Sequence, residues 1–306
     1  MRDTFVRTLI ELAKNDKNIE LITGDLGFGV LKPFWEALPN QFTNIGINEQ
    51  NMISVAAGMA QTGKKVFVYS IGNFPTLRCL EQIRNDCAYH NADVKIICVG
   101  GGFVYGSLGM SHHATEDLAV LRALPDVVVM APADYVEAEA CVRAITEYKG
   151  TAYLRLGRGG EKAIHKSIAD FAIGKAIQLT DGKDVAIFST GAIFEEVQQA
   201  CEELKASGIK PSVFTFPSVK PIDRYTIEQV AIKNKLIVTC EEHNICGGFG
   251  SAVAEVMAEM SDKTAKLIRI GIKDKYCDVV GDQKYLRKHY EIDSNAIVAS
   301  IKAILK

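Results

Sequence analysis

Hydrophobic and polar positions alternate along the first half of the chain so as to predict short buried strands separated by amphipathic helices. In the predicted helices the apolar residues recur every three or four positions, whereas the predicted strands are apolar almost throughout. The helices lie near 2–15, 48–62, 75–90 and 134–147, and the strands at 20–23, 66–69, 95–99, 127–130 and 152–154. This alternation is typical of a parallel sheet with helices on both faces.

The pattern breaks after the run 155–160 into a polar stretch that continues through Ser167, and then restarts as a second series. Its strands are predicted at 184–188, 212–215, 236–239 and 267–270, with helices near 192–207, 223–233 and 247–260. We therefore predict an α/β protein of two doubly wound domains, each with a mostly parallel sheet flanked by helices. The predicted domains are 1–165 and 166–306.

The composition argues against several classes of function. The chain has 306 residues, 48% of them hydrophobic and 24% charged, and a net charge of −2 without long basic runs, so we expect neither nucleic-acid nor membrane partners. No apolar run approaches the ~20 residues of a membrane span, and the first residues form an amphipathic helix, so we expect a cytoplasmic location. The eight cysteines include no C-x-x-C pair, which argues against a zinc site or a disulfide framework.

A single carboxylate stands out where a predicted strand meets an apolar helix. Glu49 follows the run 44–47 and precedes the apolar residues Met52 and Val55, so it lies in the first turn of the helix. The helix macrodipole by itself favours an acid at such a position. A carboxylate held in a dry pocket is also the type of group that serves in proton transfer.

The segment 44–60, the strand near 66–70 and the run 109–112 resemble the pyrimidine-binding domain of transketolases and 1-deoxy-D-xylulose 5-phosphate synthases. The resemblance implies that Glu49 hydrogen-bonds a ring nitrogen of thiamine diphosphate and promotes the imino form of the cofactor. It also implies that His112 lies over the reacting carbon and exchanges protons with substrate. A histidine suits this work because its pKa lies near neutral. His113 has no counterpart, and a loop histidine satisfied by backbone is the alternative for His112.

Glycines surround this histidine. The run 100–102, with Gly106 and Gly109, does not match the dinucleotide fingerprint, because no helix opens directly after it. We interpret it as a long active-site loop in which backbone can approach a ligand closely. Leu108 stands where the resembled families usually have an aspartate, which puts the ordinary sugar-phosphate donor in doubt.

Four further residues are assigned by the resemblance. Arg78 and Arg158 match arginines that bind substrate phosphate, and forked guanidinium donors suit such an oxyanion, although single arginines commonly form surface ion pairs. Phe74 matches the aromatic residue that stacks on the aminopyrimidine ring, with core packing as the alternative. Asp25 resembles an aspartate that lies close to the thiamine.

The part of a transketolase that holds the diphosphate is not recognisable in the chain. The family binds it through a divalent metal, Mg²⁺ or Ca²⁺, with a G-D-G motif and later asparagines on a separate domain. The run 24–26 with Asn51 has a similar spacing, but Leu26 replaces the last glycine. The resemblance therefore implies no metal ligands here, a large partner subunit that supplies them, and a heterotetramer of two large and two small subunits.

The activity implied is transfer of a two-carbon ketol unit from a ketose or ketose phosphate to an aldose acceptor, by the small subunit of a split transketolase. A 1-deoxy-D-xylulose 5-phosphate synthase-like enzyme and the beta subunit of a 2-oxoacid dehydrogenase are the enzyme alternatives. A non-catalytic scaffold with the same fold is the third. The acidic and glycine-rich run 241–251 resembles the family's C-terminal domain, and we interpret it as architecture.

Overall fold

The computed structural model describes residues 1–261 and 265–305. Within them the chain forms twelve strands. They are β1 (Ile19–Thr23), β2 (Phe42–Asn44), β3 (Lys65–Ile71), β4 (Val94–Val99), β5 (Val128–Met130), β6 (Ala152–Leu156), β7 (Ile177–Thr180), β8 (Val185–Ser189), β9 (Pro211–Thr215), β10 (Ser218–Lys220), β11 (Leu236–Asn244) and β12 (Lys266–Ile272).

Helices connect these strands along the described chain. They are α1 (Arg2–Asn15), α2 (Phe28–Ala37), α3 (Glu49–Gln61), α4 (Leu80–Gln82), α5 (Asp117–Arg122), α6 (Tyr135–Glu147), α7 (Phe194–Ala206), α8 (Arg224–Lys233), α9 (Phe249–Ala258), α10 (Gln283–His289) and α11 (Ser294–Leu305). The predicted helix near 75–90 is irregular, because a 3₁₀ turn at Leu77–Cys79 leads into α4 and then into a π-helical segment at Ile83–Ala88. None of the described helices is long and apolar enough to cross a bilayer.

The strands form two sheets, and the predicted α/β class is confirmed. The first has seven strands in the order β10-β5-β6-β4-β3-β1-β2, and the second has five in the order β12-β11-β8-β9-β7. All neighbours are parallel except β10 against β5 and β7 against β9. Strand β10 comes from the chain beyond residue 165 yet lies at an edge of the first sheet. The boundary at 165 stays a prediction.

Alternate residues of β3 pack on opposite faces of the first sheet, as the pleat requires. Phe67 and Tyr69 face α1 and α6 in one buried apolar cluster. Val66 and Val68 face α3 in another, which continues into the second domain as far as Phe188. This second cluster is therefore shared by the two domains.

The carboxyl ends of β1, β3, β4 and β6 meet at one edge of the first sheet. Ligand sites in parallel sheets gather at this edge, because the loops that leave it converge there. The predicted site residues Asp25, Phe74, His112 and Arg158 all lie in the segments that follow these four strands.

Candidate functional site

Glu49 is the first residue of α3, as the sequence predicts. The preceding Asn48 caps the helix, because its side-chain oxygen accepts a hydrogen bond from the backbone N–H of Asn51 at 3.4 Å. The Glu49 side chain is only 5% exposed. Its Oε2 accepts a hydrogen bond from Nη1 of Arg78 at 2.8 Å, and within residues 1–261 and 265–305 this is the one donor that the carboxylate has.

Arg78 and Phe74 link this carboxylate to the predicted histidine. The Arg78 side chain is half exposed, and its guanidinium carbon lies 4.6 Å from the centre of the Phe74 ring. The Phe74 and His112 rings meet edge to face, with centroids 5.2 Å apart. Four predicted site residues are therefore neighbours in space, although they come from three separate segments.

The contacts continue from His112 to the second predicted arginine. Its Nδ1 lies 3.0 Å from the Ser111 hydroxyl. The centre of the Tyr105 ring lies 6.5 Å from the centre of the His112 ring and 5.8 Å from the guanidinium carbon of Arg158. Arg158 is exposed and borders a cleft of about 190 Å³ between the domains. Both predicted phosphate ligands thus carry a charge that solvent or a ligand can reach.

Asp25 lies beside this group, two residues after the end of β1. Its φ of +57° is in the left-handed region, which aspartate tolerates better than most residues. Asn44 holds it there, because its Oδ1 accepts from the Asp25 N–H at 2.9 Å while its Nδ2 donates to Asp25 Oδ1 at 3.0 Å. A Cβ on Gly24 would lie 3.9 Å from Cγ of Glu49, so this turn packs close to the buried carboxylate.

The loop that carries His112 is held by its neighbour. His113 is buried, and its Nε2 lies 3.0 Å from the carbonyl oxygen of Gly106. The side-chain amide of Asn73 donates to the His113 carbonyl at 2.7 Å. The adjacent histidines therefore differ: His113 anchors the loop, whereas the half-buried His112 faces Phe74 and Tyr105.

Sequence reasoning missed a buried polar network where the second domain meets this loop. Asp117 Oδ2 accepts from the Tyr153 hydroxyl at 2.5 Å and lies 3.1 Å from Nε of Arg155. Burial lowers the pKa of His243 to about 4, so the ring is neutral, and its Nε2 accepts from the Ala119 N–H at 3.3 Å. The available signal was a charged residue inside an apolar strand, since Arg155 lies in β6.

The same network includes two consecutive acids at the end of β11. Glu241 accepts from the N–H groups of Phe249 and Gly250 at 2.7 and 2.8 Å. Burial nevertheless raises its pKa to about 7. Glu242 accepts from Phe103 and Arg287. The interpretation of 241–251 as architecture agrees with these contacts, since both acids are saturated by protein donors.

The residues at the sheet edge fit the pyrimidine half of thiamine diphosphate. A flat basic ring needs an acid for its nitrogen and an aromatic face for stacking, and the buried Glu49 and the half-buried Phe74 offer these groups. Across the described ranges, no cluster of three His, Cys, Asp or Glu side chains suits a metal ion.

Comparison with known proteins identifies the family. Residues 1–160 match the family described as "Transketolase, pyrimidine binding domain", and residues 174–297 match "Transketolase, C-terminal domain". The chain is 40% identical to a "Putative transketolase C-terminal section" of Methanocaldococcus jannaschii, over 100% of this chain and 96% of that protein. It is 36% identical to one subunit of the apulose-4-phosphate transketolase of Phocaeicola vulgatus, over 100% of this chain and 97% of that subunit.

A solved structure is similar over the same extent. The "Split gene transketolase, inactive beta4 tetramer" is 34% identical, with a TM-score of 0.88 over 99% of this chain and 97% of that chain. The two family matches together span both sheets of the fold. The chain therefore belongs to the transketolase family and carries its pyrimidine-binding and C-terminal domains.

Proposed function

We propose that the chain is the small subunit of a thiamine-diphosphate-dependent split transketolase, which transfers a two-carbon ketol unit from a ketose phosphate to an aldose. The observation that carries the proposal is the buried Glu49 at the start of α3, with Phe74, Arg78 and His112 in sequential contact beside it. Similarity to a protein named as one subunit of a transketolase supports it.

Each residue has a role that its position supports. The coenzyme, when bound, supplies the carbanion chemistry that breaks and forms the carbon–carbon bond. Glu49 holds a proton at the ring nitrogen, and Phe74 stacks against the ring. His112 transfers protons at the substrate oxygen atoms, because an imidazole can serve both as acid and as base. Asp25 lines the edge of the same pocket.

Arg158 and Arg78 bind the substrate phosphate in this proposal. Arg158 is exposed and ready for an anion. Arg78 is paired with the Glu49 carboxylate at 2.8 Å. It must therefore leave this carboxylate and bind the substrate phosphate instead when cofactor and substrate bind. Its half-exposed position next to Phe74 leaves room for that exchange.

A large subunit completes the pocket by supplying the diphosphate site and its Mg²⁺ or Ca²⁺, in a heterotetramer of two large and two small subunits. Exposed apolar side chains border the candidate site and suit burial against such a partner. They are Ile47, Leu77, Leu108 and Met110. The solved relative is described as inactive when it is a tetramer of its beta chain, which agrees with a requirement for a second kind of subunit.

Leu108 bears on the choice of donor sugar, because it is exposed and apolar where the family usually has an aspartate. An aliphatic side chain cannot hydrogen-bond a sugar hydroxyl, so we propose a ketose phosphate other than the unbranched pentose phosphates. The relative named for apulose 4-phosphate makes that sugar phosphate the first donor to test.

The test is reconstitution with the large subunit. The purified chains are mixed with thiamine diphosphate and Mg²⁺, and ketose phosphates are offered with an aldose acceptor. A new ketose is the expected product. Carbon dioxide from pyruvate would indicate a synthase-like enzyme, acyl transfer to lipoamide a 2-oxoacid dehydrogenase, and absence of metal-dependent cofactor uptake a scaffold.

The matched variant is Glu49→Ala in the same mixture. We expect turnover to be lost while the subunits still co-elute in size-exclusion chromatography, because the change removes the carboxylate at the pocket and leaves the Asn48 cap of α3 in place. Undiminished product from Glu49→Ala would refute its proposed role.

A further inference from the structure

We infer that Glu242, a residue of the second domain, positions the loop of the first domain that carries His112; its kinetic consequence rests on the proposed function. The loop spans residues 100–113, between β4 and α5. A single backbone bridge closes it, between Gly102 and Ala114. Because so short a ladder does not fix fourteen residues, other contacts determine where His112 points.

Glu242 makes a buried side-chain contact of this kind from the second domain. Its side chain is 4% exposed, and its Oε1 accepts from the backbone N–H of Phe103 at 2.5 Å. The other oxygen accepts from Nε of Arg287 at 2.7 Å, and the amide of Gln283 donates to Oε1 at 2.9 Å. Charge-assisted bonds of this kind are short and directional, so they fix the loop backbone against α10.

Glycines allow the loop to approach this closely. Gly102 has a φ of +64°, and a Cβ there would lie 2.5 Å from Oε1 of Glu242. A Cβ on Gly106 would lie within overlap distance of the Leu286 side chain on α10. The loop therefore packs against the second domain with no space for a side chain at either position.

A path of contacts leads from Phe103 to the histidines. The centre of the Phe103 ring lies 5.4 Å from the centre of the Tyr290 ring, in the second domain, and 5.4 Å from the centre of the His113 ring. His113 is anchored to the Gly106 carbonyl and is the last residue of the loop. His112 is its immediate neighbour, so a displaced Phe103 alters where the His112 ring meets Phe74.

Arg287 offers an internal control for this inference. Its guanidinium is 2% exposed and pairs with Glu242 on one side and with Glu196 on the other, where Nη1 donates to Oε1 at 3.3 Å. Glu196 also accepts from the backbone N–H of Ser294 at 3.0 Å, far along the chain from the loop. Removing either carboxylate disturbs the same arginine, but only Glu242 contacts the loop.

The test compares Glu242→Gln with Glu196→Gln by hydrogen exchange and mass spectrometry of the small subunit alone. Peptides covering residues 100–114 should exchange about tenfold faster in Glu242→Gln and at the wild-type rate in Glu196→Gln. Equal exchange of the loop in wild type and Glu242→Gln, or equal acceleration in both variants, would overturn the inference.

Glu242→Asp keeps the negative charge for Arg287 but shortens the reach to Phe103. It should accelerate loop exchange in the same way, and it decides the question if Glu242→Gln fails to fold. Wild-type exchange of the loop in Glu242→Asp would contradict the inference.

In the reconstituted enzyme, Glu242→Asp should lower kcat roughly 10- to 100-fold, because misplacing a catalytic group by about 1 Å has effects of that order. The KM for the sugar phosphate should stay unchanged, because Arg158 is not contacted by Glu242. A rise in KM at constant kcat would contradict a positioning role.

The exchange experiment needs neither cofactor nor partner, so its outcome is independent of the proposed activity.

Discussion

Two buried glutamates with nearly equal exposure have opposite surroundings. Glu49 is 5% exposed and Glu242 is 4% exposed. Glu242 is saturated by a backbone N–H, an amide and a guanidinium, all from buried or half-buried groups. Glu49 has a single described donor, Arg78, whose side chain is half exposed.

This difference separates architecture from chemistry. A buried charge with a full set of fixed partners is neutralised within the protein and has no capacity left for a ligand. A buried carboxylate whose one partner is open to solvent can exchange it for a ligand. The comparison thus assigns Glu242 to the contact between the domains and Glu49 to the candidate pocket.

The largest effect on stability should come from Arg287→Met. This change removes the guanidinium and leaves Glu242 and Glu196 buried without their cation, so the free energy of unfolding should fall by about 3–5 kcal/mol. Urea denaturation followed by circular dichroism measures it.

Arg78→Met is the matched control at the other glutamate. The Arg78 guanidinium is half exposed, so water can take its place beside Glu49, and the free energy of unfolding should fall by clearly less than in Arg287→Met. If Arg78→Met destabilised the chain as much as Arg287→Met, the two regions would not differ as described.

A smaller effect is expected at the exposed end of the candidate site. Arg158→Ala removes a forked phosphate donor that has no carboxylate partner among the described residues, so the KM for a phosphorylated substrate should rise about 10- to 100-fold. The free energy of unfolding should stay within about 0.5 kcal/mol of wild type. Steady-state kinetics of the reconstituted enzyme test this, and an unphosphorylated ketose, whose KM should not change, is the control.

The smallest effect concerns pH and the segment that joins the domains. His165 Nε2 lies 2.9 Å from Glu137, which raises the pKa of the histidine above 6.5 in the folded chain. The ion pair therefore contributes its full stabilisation below pH 6.5. This stabilisation is lost as the pH rises through the raised pKa of His165. Glu137 keeps its hydrogen bonds from Ala133 and Thr215 when the histidine is neutral, so we expect the loss to be less than about 1 kcal/mol.

The measurement is the unfolding free energy of wild type and His165→Gln at mildly acidic and mildly alkaline pH. The difference between the two proteins should shrink as the pH rises. Glu241 also titrates in this range, because burial raises its pKa to about 7, but it is present in both proteins and drops out of the difference. A difference that is independent of pH would contradict the contribution of His165.

Local patterns predicted much of the fold, and the reason is visible in particular elements. The bounds of α1 and the start of α3 follow from apolar spacing and a capping residue, which are properties of neighbouring residues. The helix α2 was not predicted, since Gly29 and Pro33 disfavour helix locally and packing of Leu31 and Phe34 overrides them. Strand β10 was missed because its partner β5 lies about ninety residues earlier.

The candidate site was predicted residue by residue, but not its contacts. The resemblance picked out Glu49, Phe74, Arg78 and His112, and the structure brings them together. The pairing of Arg78 with Glu49 depends on where the start of α3 and the turn at Leu77–Cys79 meet in space, which no sequence pattern encodes. The same holds for the bond between Glu242 and Phe103, which are 139 positions apart.

The most direct test of the account is a calorimetric titration of thiamine diphosphate, with Mg²⁺, into the mixed large and small subunits. With the wild-type small subunit we predict saturable binding, and with Glu49→Gln an affinity at least about tenfold lower at unchanged subunit assembly, because a buried acceptor for the ring is altered. Equal affinity for both proteins, or no uptake by the wild-type mixture, would contradict the claim that this chain forms half of a thiamine pocket around Glu49.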